Sequence, residues 1–209
     1  LRNGVVHVAG DARQRYFDAS GYGRPHADGV ELARVEAAHL LYRGDLDTVD
    51  GAEFREFFVD SVADERRFAA RFTVYTDLRE RGFYCSPARE GWPGYDGDPL
   101  PDLTVYERGA EPGGAVAHRV LVAGERRLLP ARDLPGLALA VVDEESDVSY
   151  FDCTGEPGFD GQKTTDLPQA VDAPLLDDRA IWWNPPARLS ESAFYGHPVA
   201  GRAAALVAV

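Results

Sequence analysis

The sequence predicts an α+β fold: a helical N-terminal subdomain followed by a mixed or antiparallel-sheet subdomain. Three observations predict it. Apolar residues recur at helical spacing up to about residue 81, the pattern switches to short strands from Phe83 onward, and Pro/Gly clusters separate those strands. With 209 residues, 44% hydrophobic and 11% aromatic, the chain has the material for a sizeable core, which excludes disorder throughout.

Taken in order, Val5 to Val8 reads as a strand and Asp11 as the N-cap of a helix through about Ala19. Tyr22-Gly23-Arg24-Pro25 breaks that helix. A second helix, about Ala33 to Arg43, places Val35, Ala38 and Tyr42 on one face and stops at Gly44. A short helix near Ala52 to Val59 precedes the clearest one, Asp64 to Arg81, with Asp64 as its cap. Its stripe is Phe68, Phe72, Tyr75 and Leu78. Strands are expected at Phe83 to Cys85, Leu103 to Tyr106, Val116 to Ala123, Leu137 to Val142 and Val148 to Cys153.

The charge balance narrows the setting. A formal charge of -13 coexists with 22 basic residues, of which only Lys163 is lysine. Arginine in place of lysine fits a GC-rich genome, and dense carboxylates fit a cytoplasm with molar salt. At about 1 M salt the Debye length is about 3 Å, so a remote acidic field does not exclude a nucleic-acid ligand. Cys85 and Cys153 read as buried reduced thiols, and no Cys or His spacing resembles a zinc site, so no metal or cofactor is expected. No charged stretch followed by an apolar one opens the sequence, and Leu134 to Val142 is too short to span a bilayer. The expected location is cytoplasmic.

Beyond Cys153 the apolar period is lost, which predicts a linker over residues 154–175. A repeat follows it. Asp11 to Pro25 and Asn184 to Pro198 align in constant register: Asp11 and Asn184 are both competent N-caps, and Tyr22-Gly23-Arg24-Pro25 answers Tyr195-Gly196-His197-Pro198. The expected organisation is residues 1–78 and 79–153 as the two subdomains of a first repeat, and 176–209 as the truncated start of a second.

Three words, YGRP, LARVEAAHLLYRGDL and YTDLRERGFYCSPAR, occur in this order, and with them the sequence resembles the tRNA-intron endonuclease family of archaea. The likeness covers about Val5 to Cys153 and restarts near Ile181, as in the fused form with a degenerate first repeat and a catalytic second one. The resemblance implies cleavage of precursor tRNA at bulge-helix-bulge junctions without metal, leaving a 2′,3′-cyclic phosphate and a 5′-hydroxyl. Such chemistry needs a base, an acid and a cation for the phosphorane-like charge, which in the family are Tyr, His and Lys.

Tyr106, at the end of Asp102-Leu103-Thr104-Val105-Tyr106, falls at the family's tyrosine position. His118 lies one step from the histidine position, where Ala117 stands, and one step turns a strand residue to the opposite face. No lysine occurs in Ala131-Arg132-Asp133-Leu134-Pro135-Gly136, where only Arg132 could supply charge. The cleft is therefore expected to be vestigial, with Tyr106 packed on its sheet and this chain inactive alone.

The resemblance also implies that the acidic turn Asp143, Glu144, Glu145, Asp147 docks into a basic pocket of a catalytic unit in a partner chain. Val148, Tyr150 and Phe151 would pair this repeat with the second. The expected partners are then precursor tRNA, the catalytic second repeat and a second copy of the chain, with no membrane. Of two further readings, one is a stand-alone RNA-binding or adaptor module using Arg13, Arg15 and Arg24 on phosphate. The other, an unrelated hydrolase, finds no Ser-His-Asp pattern, phosphate loop or metal signature to support it.

Overall fold

The structure, a computed structural model, describes residues 4–155; the expected second-repeat start and most of the expected linker lie outside them. Strand β1 (Val5–Ala9) and a single π-type helical turn (Arg13–Asp18) lead to β2 (Arg24–His26) and β3 (Gly29–Ala33). Helices α1 (Arg34–Arg43), α2 (Phe54–Asp64) and α3 (Phe68–Glu80) follow. Strands β4 (Cys85–Pro87), β5 (Leu103–Tyr106), β6 (Val116–Gly124), β7 (Ala138–Val142) and β8 (Val148–Asp152) complete the fold, which is α+β.

β2 overlaps the expected break at Tyr22 to Pro25, and β3 fills the stretch between that break and the expected helix from Ala33. β2 and β3 form, with β1, an antiparallel sheet of order β1-β3-β2. Pro25 is tolerated because β2 is an edge strand, where a missing N–H costs no ladder bond. The sheet feeds straight into α1, which ends at Gly44 in the left-handed conformation, φ 74°, as the glycine there predicts.

Two expected caps do not cap. Asp64 is the last residue of α2 and pairs with Arg34 at 3.0 Å, while Arg67 occupies the N-cap of α3. Asp11 precedes an Ala12 N-cap that makes no side-chain bond, and the segment it introduces is a π-type turn. Tertiary packing, not capping, holds these segments. Phe54, Phe58, Phe68 and Phe72 form a chain of ring contacts at 5.2–6.4 Å between α2 and α3. Phe68, Tyr75 and Leu78 are buried, so the stripe read from the sequence is the packed face of α3, whereas Tyr42 is 53% exposed.

The second sheet has the order β4-β5-β6-β7-β8, antiparallel except for the parallel pair β6/β7. α3 packs across it, against β6, β7 and β8. Edge strand β4 carries Cys85, fully buried, with its thiol pushed up to about 12 by that burial. Cys153 lies one residue past the opposite edge strand, half-buried, so only the first of the two thiols is in a strand and in the core. Among the described residues, no helix is long and apolar enough to cross a membrane.

Candidate functional site: two faces of the second sheet and its acidic hairpin

The three words that carry the resemblance meet in one buried web. The Gly23 N–H donates to the Glu36 carboxylate at 2.7 Å, and the same carboxylate accepts the Ala33 N–H at 2.8 Å and the Trp92 indole N–H at 3.2 Å. Burial pushes the Glu36 carboxyl up to about 7, against those three donors, which favour its ionised form. The Tyr22 hydroxyl and His39 Nδ1 share a 2.9 Å hydrogen bond, and burial lowers His39 to about 4. Arg79 lies 4.0 Å over the Tyr22 ring and donates to the Ser20 carbonyl at 2.6 Å, while His39 meets Tyr75 edge-on. These residues position the sheets. Sequence reasoning did not single out Glu36, His39, Arg79 or Trp92; the E-x-x-H spacing in α1, which puts Glu36 and His39 on one helix face, was the available signal.

Tyr106 is fully buried at the end of β5. Its hydroxyl donates to the Pro93 carbonyl at 2.7 Å and lies 3.0 Å from the Ser86 hydroxyl, which can donate in return. Burial raises its pKa. A phenol so engaged resists forming the phenolate that a general base requires. The segment around Gly94 packs onto this face so closely that a Cβ there would sit 2.8 Å from Thr104 and 2.9 Å from the Tyr106 oxygen.

His118 belongs to the other face. Between β5 and β6 the register shifts: Val116 opposes Tyr106, His118 opposes Val105, and Ala117 is the extra residue of a bulge. Since successive strand residues alternate faces, His118 shares the face of Val105 and Tyr106 the opposite one. His118 lines a cleft of about 260 Å³ with Leu78 of α3, with Arg81 at the C-cap of that helix, and with Val105, Val120, Ala138, Tyr150 and Asp152. The structure therefore does not bring Tyr106 and His118 together. Arg132 sits in a 3₁₀ turn, 87% exposed and 3.7 Å from Asp133.

Asp102, which precedes β5, fastens this sheet. Its carboxylate accepts the Val122 N–H at 2.9 Å and pairs with Arg67 at 2.7 Å.

The β7–β8 connection is a tight hairpin in which the Asp143 carboxylate accepts the Asp147 N–H at 2.8 Å and Ser146 takes φ 71°. Glu144 pairs with Arg126 across an exposed surface, an interaction worth about 0–1 kcal/mol. β8 is an edge strand among the described residues. Phe151 is 54% exposed, whereas the Tyr150 hydroxyl donates to Asp77 at 2.7 Å and so ties the strand back to α3. The arginines of the RNA-adaptor reading are engaged within the chain. Arg24 pairs with Glu31 at 2.7 Å, Arg15 donates to the Asp45 carbonyl at 2.9 Å, and Arg13 is 3.9 Å from Asp18.

A small sheet-and-helix unit ahead of a mixed five-stranded sheet, with an acidic hairpin and an edge strand at its end, defines the class: a two-sheet α+β module. Residues 1–58 match the family described as tRNA intron endonuclease, N-terminal domain. Over 206 residues the chain is 50% identical to the tRNA-splicing endonuclease of Halobacterium salinarum, which covers 98% of this chain and 58% of that protein. It is 48% identical over 204 residues to that of Haloferax volcanii (97% and 58%), and 33% identical over 213 residues to that of Methanococcoides burtonii (93% and 57%). The chain belongs to the tRNA intron endonuclease family. It spans somewhat more than half the length of these relatives.

Proposed function

We propose that the described residues form the structural, assembly half of a tRNA-splicing endonuclease that removes introns from precursor tRNA at bulge-helix-bulge sites. In this reading a catalytic second repeat supplies Tyr, His and Lys. The substrate 2′-hydroxyl loses its proton to a base and attacks the adjacent phosphorus. The 5′-oxygen leaves with a proton from an acid, so that a 2′,3′-cyclic phosphate and a 5′-hydroxyl result, with a lysine ammonium facing the developing charge in place of a metal.

The observation that carries the reading is the placement of Tyr106 and His118 on opposite faces of one sheet, the tyrosine buried and hydrogen-bonded. No single substrate phosphate reaches both. What the sheet offers to the assembly is its end: four carboxylates within Asp143 to Asp147 for a partner chain, and beside them the edge of β8, with Val148, Tyr150 and Phe151, for the second repeat. Like charges at these separations repel, and a basic pocket on a partner copy converts that cost into charge-assisted hydrogen bonds. The Arg126–Glu144 pair is exposed enough to exchange partners on docking.

The test uses the protein with both repeats, carrying Asp143→Asn, Glu144→Gln, Glu145→Gln and Asp147→Asn together. Near-native circular dichroism, a smaller assembly on a sizing column in molar salt and lost cleavage of a bulge-helix-bulge RNA are expected. Assembly and cleavage like the parent's would reduce the hairpin to a solvated turn. The 209-residue chain by itself is expected to leave such an RNA intact; cleavage abolished by Tyr106→Phe would revive the cleft.

A further inference from the structure

The three-stranded sheet gathers two histidines that lie far apart in sequence. His7 on β1 stands directly opposite Glu31 on β3, and Arg24 on β2 stands opposite Glu31 from the other side. His26, two residues beyond Arg24 on β2, shares its face. His7 Nδ1 and His26 Nδ1 each lie 3.4 Å from the same Glu31 oxygen, Oε1. The ligating atoms of all three lie within 4.8 Å of one another.

Several features separate this cluster from a chance surface grouping. The Glu31 side chain is 8% exposed, while the imidazoles are 47% and 55% exposed, so a buried carboxylate faces solvent through two histidines. Its other oxygen, Oε2, is held by Arg24 at 2.7 Å. Arg24 is in turn fixed by the Gly91 carbonyl at 2.8 Å and by the Trp92 ring at 4.2 Å. This chain of contacts turns Oε1 toward the imidazoles. The 3.4 Å separations are longer than the 2.7–3.2 Å of an N–H···O hydrogen bond. They match the ligand-to-ligand edge of a tetrahedron with arms of 2.0–2.2 Å, which is about 3.3–3.6 Å.

The geometry points to a binding site for a divalent transition cation of the Zn²⁺ type, with His7, His26 and Glu31 as its protein ligands. Two nitrogens and one oxygen suit Zn²⁺, whereas Mg²⁺ and Ca²⁺ prefer oxygen ligands alone. Arg24 serves as the outer partner that orients the carboxylate. The fourth position faces solvent. The two edge strands of this sheet, β1 and β2, do not bond to each other, so a cation held across β3 joins them and stabilises the sheet by the free energy of its own binding. This site is independent of the splicing reading, because it lies on the other sheet and assigns the metal no part in cleavage.

The test is a titration of Zn²⁺ into the metal-stripped full chain in molar KCl, with Co²⁺ and Mg²⁺ in parallel. Expected are saturation at one ion per chain, an intense visible absorption of tetrahedral Co²⁺, and a melting temperature raised by roughly 5–10 °C at a hundredfold excess of Zn²⁺ over Kd. His7→Ala and His26→Ala alter exposed positions and leave the metal-free melt near the parent's. Each is expected to weaken binding by about 100-fold or more. The site is refuted if Zn²⁺ fails to saturate below millimolar, if the double variant binds as the parent does, or if Mg²⁺ produces the same thermal shift.

Discussion

The web around Glu36 and the hairpin at Asp143 both concentrate polar groups, yet they are opposite kinds of structure. Glu36 is fully buried and gathers three N–H donors from β3, Trp92 and the Gly23 turn. The hairpin carboxylates are solvated, with one exposed arginine paired to one of them. A buried carboxylate is fixed by its partners and determines the fold around it; an exposed cluster leaves the fold indifferent and is available to something outside it. The words that reveal the family belong to the first kind, and the residues proposed to act belong to the second.

The sharpest way to break this contrast is Gly23→Ala. Gly23 has φ 71°, and an added Cβ would lie 2.2 Å from the Glu31 carbonyl oxygen. Loss of more than about 3 kcal/mol in urea unfolding, or failure to fold, is expected. A variant as stable as the parent would mean that the web tolerates displacement.

Next in size is the pH dependence. The Glu36 carboxyl is raised to about 7 in the fold, so its contribution is complete below about 4.5 and is lost as pH rises through 7. His39 is lowered to about 4, so its contribution is complete above about 6.5 and is lost as pH falls through 4. Each spans on the order of 3 kcal/mol, and they oppose one another between pH 4.5 and 6.5. In urea titrations at several pH values, the stability difference between parent and His39→Gln is expected to grow from pH 4 to 6.5 and then level. The difference against Glu36→Gln is expected to shrink from pH 4.5 to 7. Flat differences would remove the pair from the pH response.

Smaller again is the salt effect: with a net charge of -13, the melting temperature is expected to rise by several degrees between low and molar KCl. A flat profile would contradict adaptation to high salt. The smallest effect belongs to the hairpin, where the fourfold neutralisation is expected to change the stability of this chain by less than about 0.5 kcal/mol. A loss above about 2 kcal/mol would move Asp143 to Asp147 into the class of Glu36.

Much of the fold was legible because it rests on period. The α3 stripe and four strands of the second sheet follow from local apolar spacing, and Gly44 from its left-handed turn, whereas β4, buried at every position and without alternation, lies two residues beyond the expected Phe83 to Cys85. β2 and β3 were not legible. Pro25 reads as a breaker until β2 is known to be an edge, and Gly29–Ala33 is buried at every position, so it shows no alternation. Nor could the caps be read, since Asp64 turned to Arg34 across thirty residues. In the candidate site, the one-residue step at His118 could be read from alignment, but the bulge at Ala117 and the opposite facing of Tyr106 required the strand pairing. The proximity of His7 and His26 was equally hidden, because the strand between them in space, β3, follows both in sequence.

The two cysteines turn the second sheet into its own stopwatch. Cys85 sits on the β4 edge, sealed and with its thiolate suppressed, so a thiol reagent reaches it only when the whole unit opens. Cys153 follows the β8 edge and is partly accessible, so it reacts when that edge frays. One mass-spectrometric time course of alkylation thus reads two clocks from one unmodified chain. Any polypeptide that seats itself along β8 slows the Cys153 clock and leaves the rate at Cys85 to report what the same encounter does to global opening.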